Sequence, residues 1–252
     1  MKRKAAKRST LPGPAPRVIL CVGLKSSGST WLYNVVIQLL KEKNRGGVCA
    51  FYADTFAMFP PDTEHARVLV IKAHEPSKGL AYLTRVTRGQ MFLTLREPRD
   101  AISSLMQRFG HGFEGALKET ERHSARIVEL DREEEMVTYR YEDGFFDRFE
   151  TIEEIANAIG VKVGKAARKR IYQSLTRESV RQKIGSLKKT GKFGKKPDAN
   201  SFDQETQWHP GHVGDGKIGK FAGVLLPAQQ KKVLKATQAY AKRFGYLPAR
   251  KR

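Results

Sequence analysis

RVILCVG (17–23), GLKSSGSTW (23–31) and STWLYNVVIQLLKEK (29–43) follow one another near the start of the chain, and their reading decides the fold. The first is a short apolar run closed by a glycine, the pattern of a strand buried on both faces. The third has apolar residues at Trp31, Leu32, Val35, Val36, Leu39 and Leu40, the spacing of an amphipathic helix, with Ser29 or Thr30 near its cap. Between them lies a Gly-rich turn, Gly23-x4-Gly28-Ser29-Thr30, close to a P-loop. Ser29 stands where the P-loop lysine is usual, and the cation comes early, at Lys25. Such a turn aims backbone N–H groups inward, and the helix N-terminus adds partial positive charge. Ser27, Ser29 and Thr30 bring hydroxyls. Trp31 reads either as core or as a face on which a purine stacks.

Further apolar runs, ARVLVIKA (66–73), GQMFLTL (89–95) and EEMVTYRYED (134–143), read as strands. PRDAISSLMQRF (98–109) reads as a helix with Pro98 in its first turn, and the charged stretch 114–134 as an exposed helix. TIEEIANAI (151–159) carries a capping-box pattern, Thr151 to Glu154, and Gly160 to stop it. Residues 186–223 show no period and are expected as a long loop, and 226–244 as a closing helix. Strands alternating with helices predict an α/β fold: a three-layer sandwich with a mainly parallel sheet. Residues 1–16 are expected as a disordered basic arm, 17–247 as a single domain and 248–252 as a basic tail. Ligands of such sheets bind beyond the carboxyl ends of the strands, here after 23, 73, 95 and 141.

Two of those strand ends carry chemistry. VLVIKAHEP (68–76) sets Lys72 and His74 two apart, on one side of a strand terminus, where an imidazole can take a proton near pH 7. MFLTLREPRDAISSLMQRF (91–109) sets Arg96 at a strand end and Ser104 eight residues on, a second grip for an anion. Arg99 and Asp100 read as local electrostatics of the helix start. No candidate strand ends in the Asp that a magnesium-dependent nucleotide kinase needs.

The chain has 252 residues, with 47 Lys+Arg against 26 Asp+Glu, a net charge of +21. Six cations and no acid lie in 1–17, thirteen cations and one acid in 161–197, and ten cations and no acid in 217–252. This reads as a solvated surface or as a field that attracts polyanions. No zinc-finger spacing or RNA-recognition consensus accompanies it, so nucleic acid is not expected as a partner. No apolar run spans a membrane and no secretory signal is read. Cys21 and Cys49 make neither a metal spacing nor a disulfide framework, and free thiols suit a cytoplasmic location.

Taken in order, these stretches resemble the cytosolic-type sulfotransferases that use 3′-phosphoadenosine 5′-phosphosulfate (PAPS). KSSGSTWL resembles the family's KSGTTWL loop and IKAHEP its KTHLP. REPRDAISS resembles its Arg…Ser 3′-phosphate motif, TYRYED its FYED strand end, and HVGDGKIGKF (212–221) its late Gly-Asp region. The resemblance implies sulfuryl transfer to a hydroxyl or amine, leaving adenosine 3′,5′-bisphosphate (PAP), with no metal. Lys25, Ser26, Ser27, Gly28, Ser29 and Thr30 would hold the 5′-phosphosulfate, with Lys25 on the bridging oxygen. His74 would be the general base, and Lys72 would neutralise the transferring group. Arg96 and Ser104 would hold the 3′-phosphate, Trp31 and Tyr141 would border the adenine, and 186–223 would close over the nucleotide, with Gly211 and His212 near the phosphate.

Two departures stand out. In the family one residue separates the lysine from its glycine; here two separate Lys25 from Gly28, so either Lys25 reaches from one step back or Ser26 takes its place and another cation serves. The family's Arg-Lys-Gly reads His209-Pro210-Gly211, leaving His212 or Lys217 to supply the charge. The acceptor, a small molecule or a glycan, is expected in loops at 45–65, 75–88 and 186–210, where Phe51, Tyr52, Phe56, Met58 and Phe59 form either a pocket or plain core. Alternatives from the residues alone are a P-loop nucleotide kinase and a non-catalytic module that binds glycan or nucleic acid.

Overall fold

A computed structural model describes residues 15–43, 47–194 and 201–247. The expected arm, apart from residues 15 and 16, and the expected basic tail lie outside the described residues. Five strands, β1 (Arg17–Gly23), β2 (Val48–Tyr52), β3 (Val68–Ala73), β4 (Gln90–Leu95) and β5 (Val137–Arg140), form one all-parallel sheet in the order β2-β3-β1-β4-β5. β1 is central. Its residues alternate between two cores: Ile19 and Cys21 face one layer, Val18, Leu20 and Val22 the other. That two-sided burial is why the run is apolar throughout.

The first layer holds α1 (Ser29–Lys43), α5 (Glu150–Ala158), α6 (Lys165–Ser174) and α7 (Arg177–Lys189). The second is built from α2 (Lys78–Val86), α3 (Pro98–Phe109), α4 (Phe113–Glu133) and, near the C-terminus, α9 (Pro227–Ala236) and α10 (Gln238–Arg243), after the short α8 (Phe221–Val224). This is the expected three-layer sandwich.

Several elements differ from the sequence reading. β2 and α2 fall where loops are expected at 45–65 and 75–88; β2 is a half-exposed edge strand with little apolar alternation, and α2 is started by Ser77, whose hydroxyl accepts from Leu80 N–H at 3.3 Å. α7 runs to Lys189, inside the expected 186–223 loop. α4 is not simply exposed: Ala116, Thr120, His123, Ile127 and Leu130 form a buried face. Thr151 caps nothing, because α5 starts one residue earlier, at Glu150, with Phe149 already helical, so Thr151 lies inside the first turn. Gly160, with φ +69°, follows that helix as expected. The closing helix breaks at Thr237, whose hydroxyl bonds the Val233 carbonyl at 2.9 Å and separates α9 from α10.

Candidate active site

A cleft of about 470 Å³ opens at the carboxyl ends of β1, β3 and β4. Its floor is the 23–30 turn. A Cβ at Gly23 would meet Thr94 Oγ1 at 2.1 Å, so only glycine fits between β1 and β4. Gly28 has φ +88° and lies under the Phe145 ring, and Ser26 takes the same left-handed region at φ +69°. Ser29 and Thr30 are buried in the first turn of α1, where backbone N–H groups have no intrahelical acceptor, and both line the cleft. Ser27 does not line it. Its N–H and hydroxyl both bond the Leu24 carbonyl, at 3.1 and 2.6 Å, and its hydroxyl also meets Thr94 Oγ1 at 2.6 Å. Its hydroxyl is therefore not the phosphate donor that the sequence reading expects; it locks the turn to β4.

Lys25 lines the cleft, and its ammonium pairs with Glu119 of α4 at 2.5 Å. Lys72 and His74 do share one side: Lys72 Nζ lies 3.4 Å from His74 Nε2, and both are buried. His74 Nδ1 donates to the Gly23 carbonyl at 2.6 Å, which leaves the Nε2 lone pair toward the cleft. Asp54 Oδ1 accepts the backbone N–H groups of His74 and Glu75 at 2.9 and 2.8 Å and so holds the turn that carries the imidazole. His123 stacks on His74 at 5.5 Å. Burial, then the Lys72 and His123 charges, push the His74 imidazole well below its ordinary pKa, so it is held in its neutral form. Burial, reinforced by Lys25, pushes Lys72 down to about 7.

At the other end, Arg96 is buried beyond β4. It donates to Ser104 Oγ at 3.2 Å and to the Ser26 carbonyl at 2.8 Å, and its guanidinium lies 3.9 Å from the Tyr141 ring centroid. Its Nε is buried without a partner. Tyr141 and Trp31 both line the cleft; Trp31 also packs edge-on against Phe145 at 5.6 Å and donates to the Leu175 carbonyl at 3.2 Å, so it is core on one edge and cleft wall on another. Arg99 pairs locally with Glu97 at 3.0 Å, as expected. Asp100 does not act locally: it accepts the N–H groups of Gly219 and Phe221 at 2.7 and 3.0 Å, which draws the late segment to α3.

That late segment roofs the cleft with Phe202, Trp208, His209, His212 and Lys220. Gly211 is not among the lining residues; a Cβ there would meet the Arg108 carbonyl at 2.9 Å. His212 lines the cleft against His209, ring to ring at 5.9 Å. Lys217 does not line it and offers Arg96 only its carbonyl, at 3.3 Å. The cations present there are Arg108, Arg177 and Lys220, all missed by the sequence reading. Arg108 Nε donates to the Gly211 carbonyl at 3.0 Å, and Nη2 to that of His212. Its sequence signal was its place one helical turn after Ser104. Tyr52 also lines the cleft beside His74, at 5.7 Å ring to ring, whereas Phe51 packs in the core against Phe59 and Phe56 and Met58 are exposed.

Among the described residues no His, Cys, Asp and Glu cluster suited to a metal occurs, and no helix is long and apolar enough to cross a membrane. No protein-family model matches the sequence, and no curated protein matches it. Solved structures do. Mouse sulfotransferase SULT7A1 complexed with PAP superposes with a TM-score of 0.62 at 13% identity, covering 93% of this chain and 86% of that one. Retinol dehydratase in complex with retinol and PAP gives 0.58 at 16%, covering 92% and 83%. Retinol dehydratase with androsterone and PAP gives 0.59 at 15%, covering 95% and 84%. Across nearly its whole length, then, the chain has the fold of the sulfotransferases.

Proposed function

We propose that the chain is an enzyme that transfers a sulfuryl group from PAPS to a hydroxyl of a small-molecule acceptor. One observation carries the reading: a single cleft holds, at one end, a neutral buried imidazole beside a buried lysine and, at the other, a buried arginine with an unpartnered Nε, joined by a Gly-rich turn. A buried guanidinium with no carboxylate partner calls for an anion from outside the chain. The fold neighbours are PAP complexes, one with retinol and another with androsterone, which supports both the nucleotide and an acceptor of small-molecule size.

In this reading the donor supplies the sulfuryl group and departs as PAP. Arg96 and Ser104 hold the 3′-phosphate, and the N–H groups at Ser29 and Thr30 hold the 5′-phosphate. His74 Nε2 takes the acceptor's hydroxyl proton while the acceptor oxygen bonds to sulfur and the sulfur–oxygen bond to the 5′-phosphate breaks. Lys72 and Lys25 stabilise the charge spread over the transferring group and the bridging oxygen. For Lys25 this means exchanging Glu119 for the donor. The Gly23 carbonyl and Asp54 keep the imidazole in its tautomer and place.

Incubation with labelled PAPS and an acceptor panel tests the assignment. A product heavier by one sulfuryl group is expected, together with magnesium-independent stabilisation by PAP. A chain that PAP does not stabilise, and that sulfates nothing, overturns it.

A further inference from the structure

Two guanidinium groups converge on one residue of the turn with no acid between them. Arg96 Nη1 donates to the Ser26 carbonyl at 2.8 Å, and Arg108 Nη1 lies 3.4 Å from the Ser26 hydroxyl. Both line the cleft, and their hydrogen-bond partners among the described residues are carbonyls and hydroxyls, with no carboxylate. Another arginine of the same cleft does have one: Arg177 pairs with Asp147 at 2.8 Å. The repulsion leaves a mark, since burial and then the Arg96 charge push Arg108 down to about 10.

The backbone explains how Arg108 arrives there. It follows Ser104 by one turn of α3 and so projects from the same face. Two of its nitrogens are spent on the carbonyls of Gly211 and His212, which fixes the direction of the fork. Neutral carbonyls satisfy hydrogen bonds but carry no charge, and Asp215, whose charge also acts on Arg108, is itself paired with Lys220 at 3.3 Å. Two such cations in one low-dielectric cleft ask for more than one negative charge between them.

Resting on the reading given under Proposed function, we propose that Arg108 is the second guanidinium of the 3′-phosphate site and that it sets the chain's preference for nucleotides bearing a dianionic 3′-phosphate. Arg96 grips the phosphate from the strand side, Arg108 from the helix side, and Ser26 spaces the two.

Calorimetric titration of the full chain with PAP and with adenosine 5′-phosphate tests this. The wild type binds PAP more tightly. Arg108→Met weakens PAP by about 10- to 100-fold, the effect of a lost charge-assisted hydrogen-bonded contact, and leaves adenosine 5′-phosphate within about 3-fold. Arg108→Lys recovers part of the loss, because it keeps the charge without the fork. The preference for PAP in the wild type grows as pH rises through about 6, where the 3′-phosphate takes its second charge, and this growth is flattened in Arg108→Met. A residue that only held the 211–212 segment would weaken both nucleotides alike and leave the pH course unchanged; that result, or a Met variant with the full wild-type preference, overturns the proposal. A wild type that does not distinguish the two nucleotides overturns the reading of the cleft as well. Should Arg108→Met not fold, Arg108→Lys carries the comparison, with a loss confined to PAP expected and an equal loss for both nucleotides fatal.

Discussion

His74 and Lys72 divide one task between two buried groups. The imidazole is kept neutral by burial and by the lysine, and the lysine is brought close to neutrality by burial and by Lys25. His74→Ala is expected to lower kcat by about 10²- to 10⁴-fold while PAPS affinity stays within a few-fold, read by turnover and by titration with PAP. A matching loss of affinity would assign His74 to binding instead. Lys72 gives a second expectation. It is charged below a pKa of about 7 and neutral above it, so kcat/KM for PAPS in the free enzyme falls as pH rises through about 7. Lys72→Arg, which keeps its charge, should abolish that alkaline fall. Sequence made this pair legible, because two residues of spacing on a strand put both side chains on one side. It hid Glu119 and Asp54, because each reaches the site from another part of the fold and carries no local pattern, whereas Arg108 stood one turn after Ser104 on the same helix.

At the scale of elements, the sheet is pinned by glycines that leave no room for a side chain. A Cβ at Gly89 would sit 1.8 Å from the Val18 carbonyl, and one at Gly23 would meet Thr94 at 2.1 Å. Gly89→Ala is expected to destabilise the fold by about 1–3 kcal/mol or more, since backbone has to move, and denaturant titration measures it. Gly23→Ala should cost similarly and weaken nucleotide binding too, because the same atoms position Ser27 and the turn; melting and PAP titration together separate the two losses. β1, α1, β3, β4 and α3 were readable since each is a long apolar or strongly periodic segment. β2 and α2 were not, being half-exposed with mixed composition, and α7 was obscured by a run of lysines around Ile184 and Leu187. The Thr151 box failed for a different reason: the signal was present, but the helix starts at Glu150 and takes Thr151 into its first turn, where its hydroxyl has no partner.

For the molecule as a whole, the charge is the fact that most needs an occupant. PAP at about 100 times its Kd should stabilise the fold by about 2.7 kcal/mol, a rise in Tm of roughly 5–10 °C for a chain of this size. Scanning calorimetry without magnesium checks it, and a shift that requires magnesium would point toward kinase-like chemistry. The strand order carries a last consequence. The central strand is the first to be made, yet the cleft at its tip is closed by Asp100 holding Gly219 and Phe221, more than a hundred residues later. A ribosome-bound chain halted at residue 210 therefore has every strand of the sheet to assemble but not the finished nucleotide grip, so competence to bind comes late in synthesis, as a single event.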